Sequence, residues 1–62
     1  MDKKTIKEIR EKAILTQGEF AEKLGVALST VSFWECGVKV PSKKNTRKIL
    51  AFCKENGIEV II

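Results

Sequence analysis

Two short helical patterns occupy the middle of the chain, and only Gly25, Val26 and Ala27 separate them. The first pattern, TQGEFAEKLG, begins with a capping box, in which Thr16 and Glu19 each satisfy a free backbone N–H of the other residue. Glycine at position 25 tolerates the left-handed conformation that ends a helix. Because the connection is so short, the sequence predicts two helices that cross steeply.

The apolar residues of the two patterns suit a close crossing. Ala21 is small enough for the first helix to approach the second, while Val31 and Trp34 fill the angle between them. Gly37 ends the second helix in the way that Gly25 ends the first. Residues 16–37 therefore have the pattern of a helix-turn-helix.

A further helix is predicted before this pair. Thr5 and Glu8 have the spacing of another capping box, so we expect the helix to begin there. Ile6 and Ile9 then repeat at helical spacing, with charged residues on the other side, until about Ala13. This amphipathic helix must pack its apolar face on the rest of the domain.

The fourth helical pattern follows the single proline. Ser42 is the expected N-cap, and the pattern stops at Asn56-Gly57. Its spacing predicts that Ile49, Leu50 and Cys53 face the core. Residues 1–57 are thus expected to form one compact all-α domain of four to five helices.

The last five residues, IEVII at positions 58–62, favour a short extended segment or strand. Two interpretations of this apolar tail remain open. Ile58 and Val60 either cap the core of their own chain, or the tail pairs with the same segment of a second copy to form a homodimer.

Positive charge is concentrated after the helix-turn-helix pattern. The chain has a formal net charge of +4 over 62 residues, and residues 39–48 carry five basic side chains and no acidic one. Such a cluster favours contact with a polyanion such as DNA phosphate. The strongest candidates for phosphate contact are Lys39, Lys43 and Lys44, and weaker ones are Arg47 and Lys48.

The composition argues against several other classes of protein. With two cysteines and no histidine, the chain lacks the ligand set of a structural zinc site, and we expect no metal or cofactor. No nucleophile has a base beside it, so an enzyme with a small-molecule substrate is not expected. No apolar run is long enough for a membrane span, and reduced thiols suit the cytoplasm. A less favoured hypothesis is a redox switch, in which oxidation of an exposed Cys36 blocks binding of the partner.

The segment LTQGEFAEKLGVALSTVSFWECG resembles the Cro/C1-type helix-turn-helix family, and the likeness runs from about Thr5 to Gly57. The resemblance implies a phage-repressor-like, all-helical domain that binds double-stranded DNA and regulates transcription, most simply as a repressor. It also implies that Thr16 and Gln17, at the start of the second helix, contact phosphate. The third helix would present five residues to the major groove, which we call the reading face: Ala27, Leu28, Ser29, Ser32 and Phe33.

A helical wheel with Val31 and Trp34 inward places most of the reading face outward, together with Cys36, and Leu28 at the margin. Leu28 and Phe33 depart from the polar residues usual at such positions. We expect them to contact thymine methyl groups or sugars. The alternative is that they flank the core or bind another protein.

Glu35 lies near the inward edge of the third helix, where an unpaired carboxylate is costly. The family resemblance implies an ion pair between Glu35 and Arg10 that ties the first helix to the third. A second function remains open, because fold alone does not fix function. The alternative to DNA binding is a protein-interaction module of the antirepressor or antitoxin kind that uses the same fold.

Overall fold

Four α-helices form the secondary structure of residues 1–60, the part of the chain that the computed structural model describes. No β-strand occurs in that part, which confirms the all-α prediction. Within the same part, no helix combines the length and apolarity needed to cross a membrane. The helices are α1 (Lys3–Lys12), α2 (Gln17–Leu24), α3 (Leu28–Cys36) and α4 (Lys43–Glu55).

The start of α1 differs from the prediction. Asp2 is the N-cap, and its carboxylate accepts a hydrogen bond from the backbone N–H of Thr5 at 2.8 Å. The expected capping box of Thr5 and Glu8 is therefore wrong, because Thr5 already lies inside the first turn. This hydrogen bond lowers the pKa of the Asp2 carboxyl. The N-cap thus lies three residues earlier than expected, at Asp2 in place of Thr5, and the helix ends, as expected, next to Ala13.

The connection from α1 to α2 contains an unusual backbone conformation. Ile14 has φ +57°, and its side chain is 88% exposed. A β-branched residue rarely adopts this left-handed conformation, because its Cβ crowds the backbone. The next residue is held by α1, since the Leu15 carbonyl accepts a hydrogen bond from Arg10 Nη1 at 2.9 Å.

The boundaries of α2 and α3 confirm the predicted caps. Glu19 N–H donates to Thr16 Oγ1 at 3.1 Å, and Thr16 N–H donates to Glu19 Oε1 at 2.9 Å. Gly25 and Gly37 adopt left-handed conformations with φ +71° and +78°. The N-cap of α3 is Ala27, which has no side chain able to accept a hydrogen bond. The turn before α3 is therefore fixed by Gly25 and by packing.

The core lies where α3 meets α1 and α2, and where α4 packs against α2. The predicted inward residues Ala21, Val31 and Trp34 are buried. Between α2 and α4, the rings of Phe20 and Phe52 pack edge to face, with 5.3 Å between their centroids. The buried residues are Ile6, Ile9, Phe20, Ala21, Leu24, Val31, Trp34, Ile49, Phe52 and Cys53.

Helix α4 is rotated slightly from its predicted orientation. Ser42 Oγ accepts the N–H of Asn45 at 3.2 Å, which confirms the expected N-cap. Phe52 is buried, whereas Leu50 is only half-buried, so the prediction that Leu50 faces the core is wrong. The aromatic contact with Phe20 orients the helix, because burying the larger ring removes more apolar area from water.

The described part of the tail packs on its own chain. Ile58 and Val60 are partly buried against the core, and residues 58–60 have no regular secondary structure. Glu59 and Val60 line a groove of about 220 Å³ beside the Thr5 and Ile9 side of α1. Of the two forms expected for this segment, the strand does not occur at 58–60, where the Ile58 N–H donates instead to the Cys53 carbonyl at 2.8 Å. Ile61 and Ile62 lie outside the described residues.

Candidate nucleic-acid interface

Helix α3 is fixed from its inner side by two large residues. Val31 is fully buried and Trp34 is 3% exposed, in contact with the core formed by the other helices. Successive residues of an α-helix are 100° apart around its axis, so burial of Val31 and Trp34 on one side turns the opposite side of α3 toward solvent. The reading face lies on that side.

Most of the reading face is open to solvent. Ala27 and Ser29 are exposed, as are Leu28 at 55% and Phe33 at 40%. Ser32 is half-buried and lies at the side of the face. Leu28, expected at the margin, is therefore more accessible than Phe33. Neither apolar side chain belongs to the buried core, which leaves both available for a partner.

Lys39 lies directly beside this face. Its Nζ is 5.5 Å from the centroid of the Phe33 ring, within the range of a cation–π interaction. The backbone supports the arrangement, because the N–H groups of Val38 and Lys39 both donate to the Phe33 carbonyl, at 3.0 and 3.3 Å. A positive charge thus stands next to an apolar ring on one surface.

The other predicted phosphate contacts lie at the start of α4 and α2. Lys43 and Lys44 are exposed in the first turn of α4, where no acidic residue is present. A positive charge at a helix N-terminus is unfavourable to the helix dipole, so these lysines do not stabilise α4. Of the weaker candidates, Arg47 is exposed and Lys48 is half-buried.

Thr16 and Gln17 are both engaged in contacts within the protein. Thr16 Oγ1 accepts the N–H of Glu19 in the capping box, and the hydroxyl keeps a hydrogen that can be donated. Gln17 is half-buried, and its Nε2 donates to Glu35 Oε1 at 3.3 Å. The amide nitrogen carries two hydrogens, so one remains for an external acceptor such as phosphate.

The structure contains an ion pair between Arg10 of α1 and Glu35 of α3. Arg10 Nε lies 2.7 Å from Glu35 Oε2, and Nη2 lies 3.0 Å from Oε1. The two side chains are 15% and 5% exposed, respectively. Together with Gln17, the pair joins α1, α2 and α3 at a single carboxylate.

The groups around Glu35 determine the ionisation of its carboxyl. Burial alone would raise the pKa of its carboxyl, but hydrogen bonds from Arg10 and Gln17, together with the charges of Arg10 and Lys7, outweigh burial. The pKa of Glu35 therefore lies below its usual value of 4.5. The carboxylate stays ionised at neutral pH and keeps both contacts.

Three exposed apolar residues were not singled out from the sequence. Val38 and Val40 are 67% and 75% exposed in the connection between α3 and α4, and Ile14 is the third. Val38 and Val40 flank Lys39, and Val40 directly precedes the single proline. Their place in a connection between two helices was the available signal, because connecting segments run over the protein surface. Cys36 is exposed, as the helical wheel predicts.

Comparison with known proteins agrees with this geometry. A family model described as helix-turn-helix matches residues 6–59, which is most of the chain. No curated protein and no solved structure matches the chain significantly. The matched range contains α2, α3 and α4 and most of α1. The chain therefore belongs to the Cro/C1-type helix-turn-helix family, a family of DNA-binding transcriptional regulators.

Proposed function

We propose that this protein binds specific sequences in double-stranded DNA and represses transcription by occupying a promoter. The observation that carries the proposal is the fixed orientation of α3. Val31 and Trp34 hold its inner side, while Leu28, Ser29 and Phe33 remain exposed on the outer side. A helix presented in this way fits the major groove of B-DNA.

Each predicted contact has a separate role in the proposed complex. The reading face contacts base edges and sugars, and so supplies sequence specificity. Lys39, Lys43 and Lys44 contact phosphates on the DNA backbone, as do Thr16 and Gln17 at the start of α2. Arg10 and Glu35 contact no DNA, and their role is to hold α1 against α3.

We propose further that two copies bind together. One reading face makes few contacts, and a pair of equivalent faces on one side of the duplex recognises two half-sites about 34 Å apart. The longest dimension of the protein is 27 Å, which is less than that spacing, so two copies can lie on neighbouring half-sites without overlapping. Pairing through residues 58–62 is the proposed route, although Ile58 and Val60 also pack on their own core.

The salt dependence of DNA binding tests the function. If one protomer neutralises three phosphates through its lysines, affinity falls about 40-fold when salt rises from about 50 to 200 mM. Fluorescence anisotropy with a labelled duplex measures this slope. A selected duplex must also bind more tightly than a scrambled duplex of the same composition. Equal affinity for the two duplexes would contradict sequence-specific binding.

The exposed apolar residues favour a second candidate, a protein-interaction module. Leu28, Val38 and Val40 are each more than half exposed, and such residues suit an apolar protein interface. Binding of that kind changes little with salt, because it releases no counterions. Absence of duplex binding even at low salt would therefore favour this candidate over the DNA-binding proposal.

A further inference from the structure

The reading face is unusual in what it offers to a base pair. Residues 27–33, ALSTVSF, contain no arginine, lysine, asparagine, glutamine or acidic residue. Those side chains make the paired hydrogen bonds that distinguish G·C from A·T in the major groove. The polar groups that remain on the face are the hydroxyls of Ser29 and Ser32, and a hydroxyl can contact either base pair.

The apolar side chains of the reading face suit contact with an apolar group of the base, and not with its hydrogen-bonding edge. Leu28 and Phe33 are the large accessible side chains, at 55% and 40% exposure. In the major groove, the apolar group available to them is the methyl at C5 of thymine. The Lys39 ammonium, 5.5 Å from the Phe33 ring, favours a polyanion over an apolar protein as the occupant of this surface.

We infer that this protein reads C5-methyl groups of pyrimidines through Leu28 and Phe33, largely independently of the hydrogen-bonding edge of the base. The inference rests on the proposed DNA-binding function and specifies what is recognised. Thymine and 5-methylcytosine carry the same methyl at the same place in the groove. The two bases are therefore close to equivalent at the positions read by these side chains, whereas cytosine and uracil are not.

The test begins with a duplex selected from a random pool by the wild-type protein. Each thymine is replaced singly by deoxyuridine, which removes one methyl and keeps the pairing edge. At one or two positions, the affinity of the wild-type protein is expected to fall about fourfold, the effect of one buried carbon. At the same positions, a 5-methylcytosine·guanine pair is expected to bind about fourfold more tightly than an unmethylated pair.

Three variants separate the contacts. Leu28→Ser and Phe33→Ser are each expected to bind thymine and deoxyuridine equally at one of the sensitive positions. Ala51→Ser, on the exposed side of α4, is the matched control and should keep the wild-type sensitivity. Because both reading-face residues are exposed, the variants should retain the helical circular dichroism signal of the wild type.

The possible results separate methyl recognition from the proposed DNA-binding function on which it rests. If the protein keeps its preference for the selected duplex but no deoxyuridine substitution weakens binding, methyl recognition is overturned and DNA binding stands. The same holds if Phe33→Ser weakens binding to the thymine and deoxyuridine duplexes by the same factor at every position, so that the wild-type preference for thymine remains, since contact with sugars has that effect. If no duplex is selected at all, both the function and the inference are overturned.

Discussion

Arg10 of α1 and Glu35 of α3 meet through two hydrogen bonds, with 2.7 Å between Nε and Oε2 and 3.0 Å between Nη2 and Oε1. The chain separates these residues by 25 positions, so the pair joins distant segments. Gln17 Nε2 donates to the same carboxylate. The contact thus adds to the burial of Val31 and Trp34 in holding α3 against α1 and α2.

Loss of the Glu35 charge should destabilise the fold. Glu35→Gln leaves the Arg10 guanidinium, 15% exposed, without its negatively charged partner, and the expected cost is about 3 kcal/mol in the free energy of unfolding. Urea denaturation measures the change. The double variant Arg10→Met with Glu35→Leu should recover much of the loss, because apolar residues replace both charges. A Glu35→Gln variant as stable as the wild type would show that the pair contributes nothing.

The acid stability of the protein should depend on the same carboxyl. Its pKa is lowered in the folded state, so folding favours the ionised form. The contribution of Glu35 is fully present above its ordinary pKa of 4.5, and is lost as pH falls through the lower folded value. Unfolding curves from pH 7 to pH 2 should show this acid-side loss, and Glu35→Gln should make the profile flatter. Parallel profiles would contradict the assignment.

Replacing Ile14 should stabilise the protein. The residue has φ +57° and is 88% exposed, so the left-handed conformation costs energy without burying the side chain. Ile14→Asn is expected to gain about 1 kcal/mol, because asparagine tolerates this conformation. Val40→Asn is the control, since Val40 is also exposed but has no positive φ. Thermal unfolding should show a higher Tm for the first variant alone.

Two glycines should respond to alanine in opposite ways. Gly18 lies in the first turn of α2, where an added Cβ meets only Thr16 Oγ1 at 4.0 Å, so Gly18→Ala should stabilise by about 0.5 kcal/mol. Gly25 has φ +71°, and Gly25→Ala should destabilise by about 1 kcal/mol although the site has space. Urea denaturation of both variants checks the opposite signs.

Lys39 should contribute to affinity through charge. Lys39→Ala is expected to lower affinity for all duplexes and to reduce the slope of log K against log salt by about 0.9. Lys12→Ala removes the same charge from the last turn of α1, outside the proposed interface, and should leave the slope nearly unchanged. Equal slopes for the two variants would show that Lys39 contacts no phosphate.

Features that depend on neighbouring residues were predictable from the sequence. The caps at Thr16, Gly25, Gly37 and Ser42 follow from local hydrogen bonding and backbone preference, and all four are present. The start of α1 was not predictable in this way, because both Asp2 and Thr5 are suitable N-cap residues. The Asp2 carboxylate accepts the N–H of Thr5, so Thr5 lies inside the helix and is not its N-cap.

Features that depend on distant contacts were harder to predict. The apolar residues 49, 50, 52 and 53 of α4 allow more than one orientation of that helix, and Phe20 on α2 selects the one that buries Phe52. The bond from Gln17 to Glu35 likewise depends on how α2 and α3 cross. The left-handed backbone at Ile14 has no signal in the sequence, since isoleucine disfavours it.

The division of α3 into two sides has an evolutionary consequence. Val31, Trp34 and Glu35 carry the packing, whereas Leu28, Ser29 and Phe33 add little to it. Mutations at the outer positions can therefore accumulate without unfolding the domain, and under the proposed function a lineage would acquire a new DNA target through a few codon changes. On that proposal, stability and target choice are inherited through separate residues of one nine-residue helix.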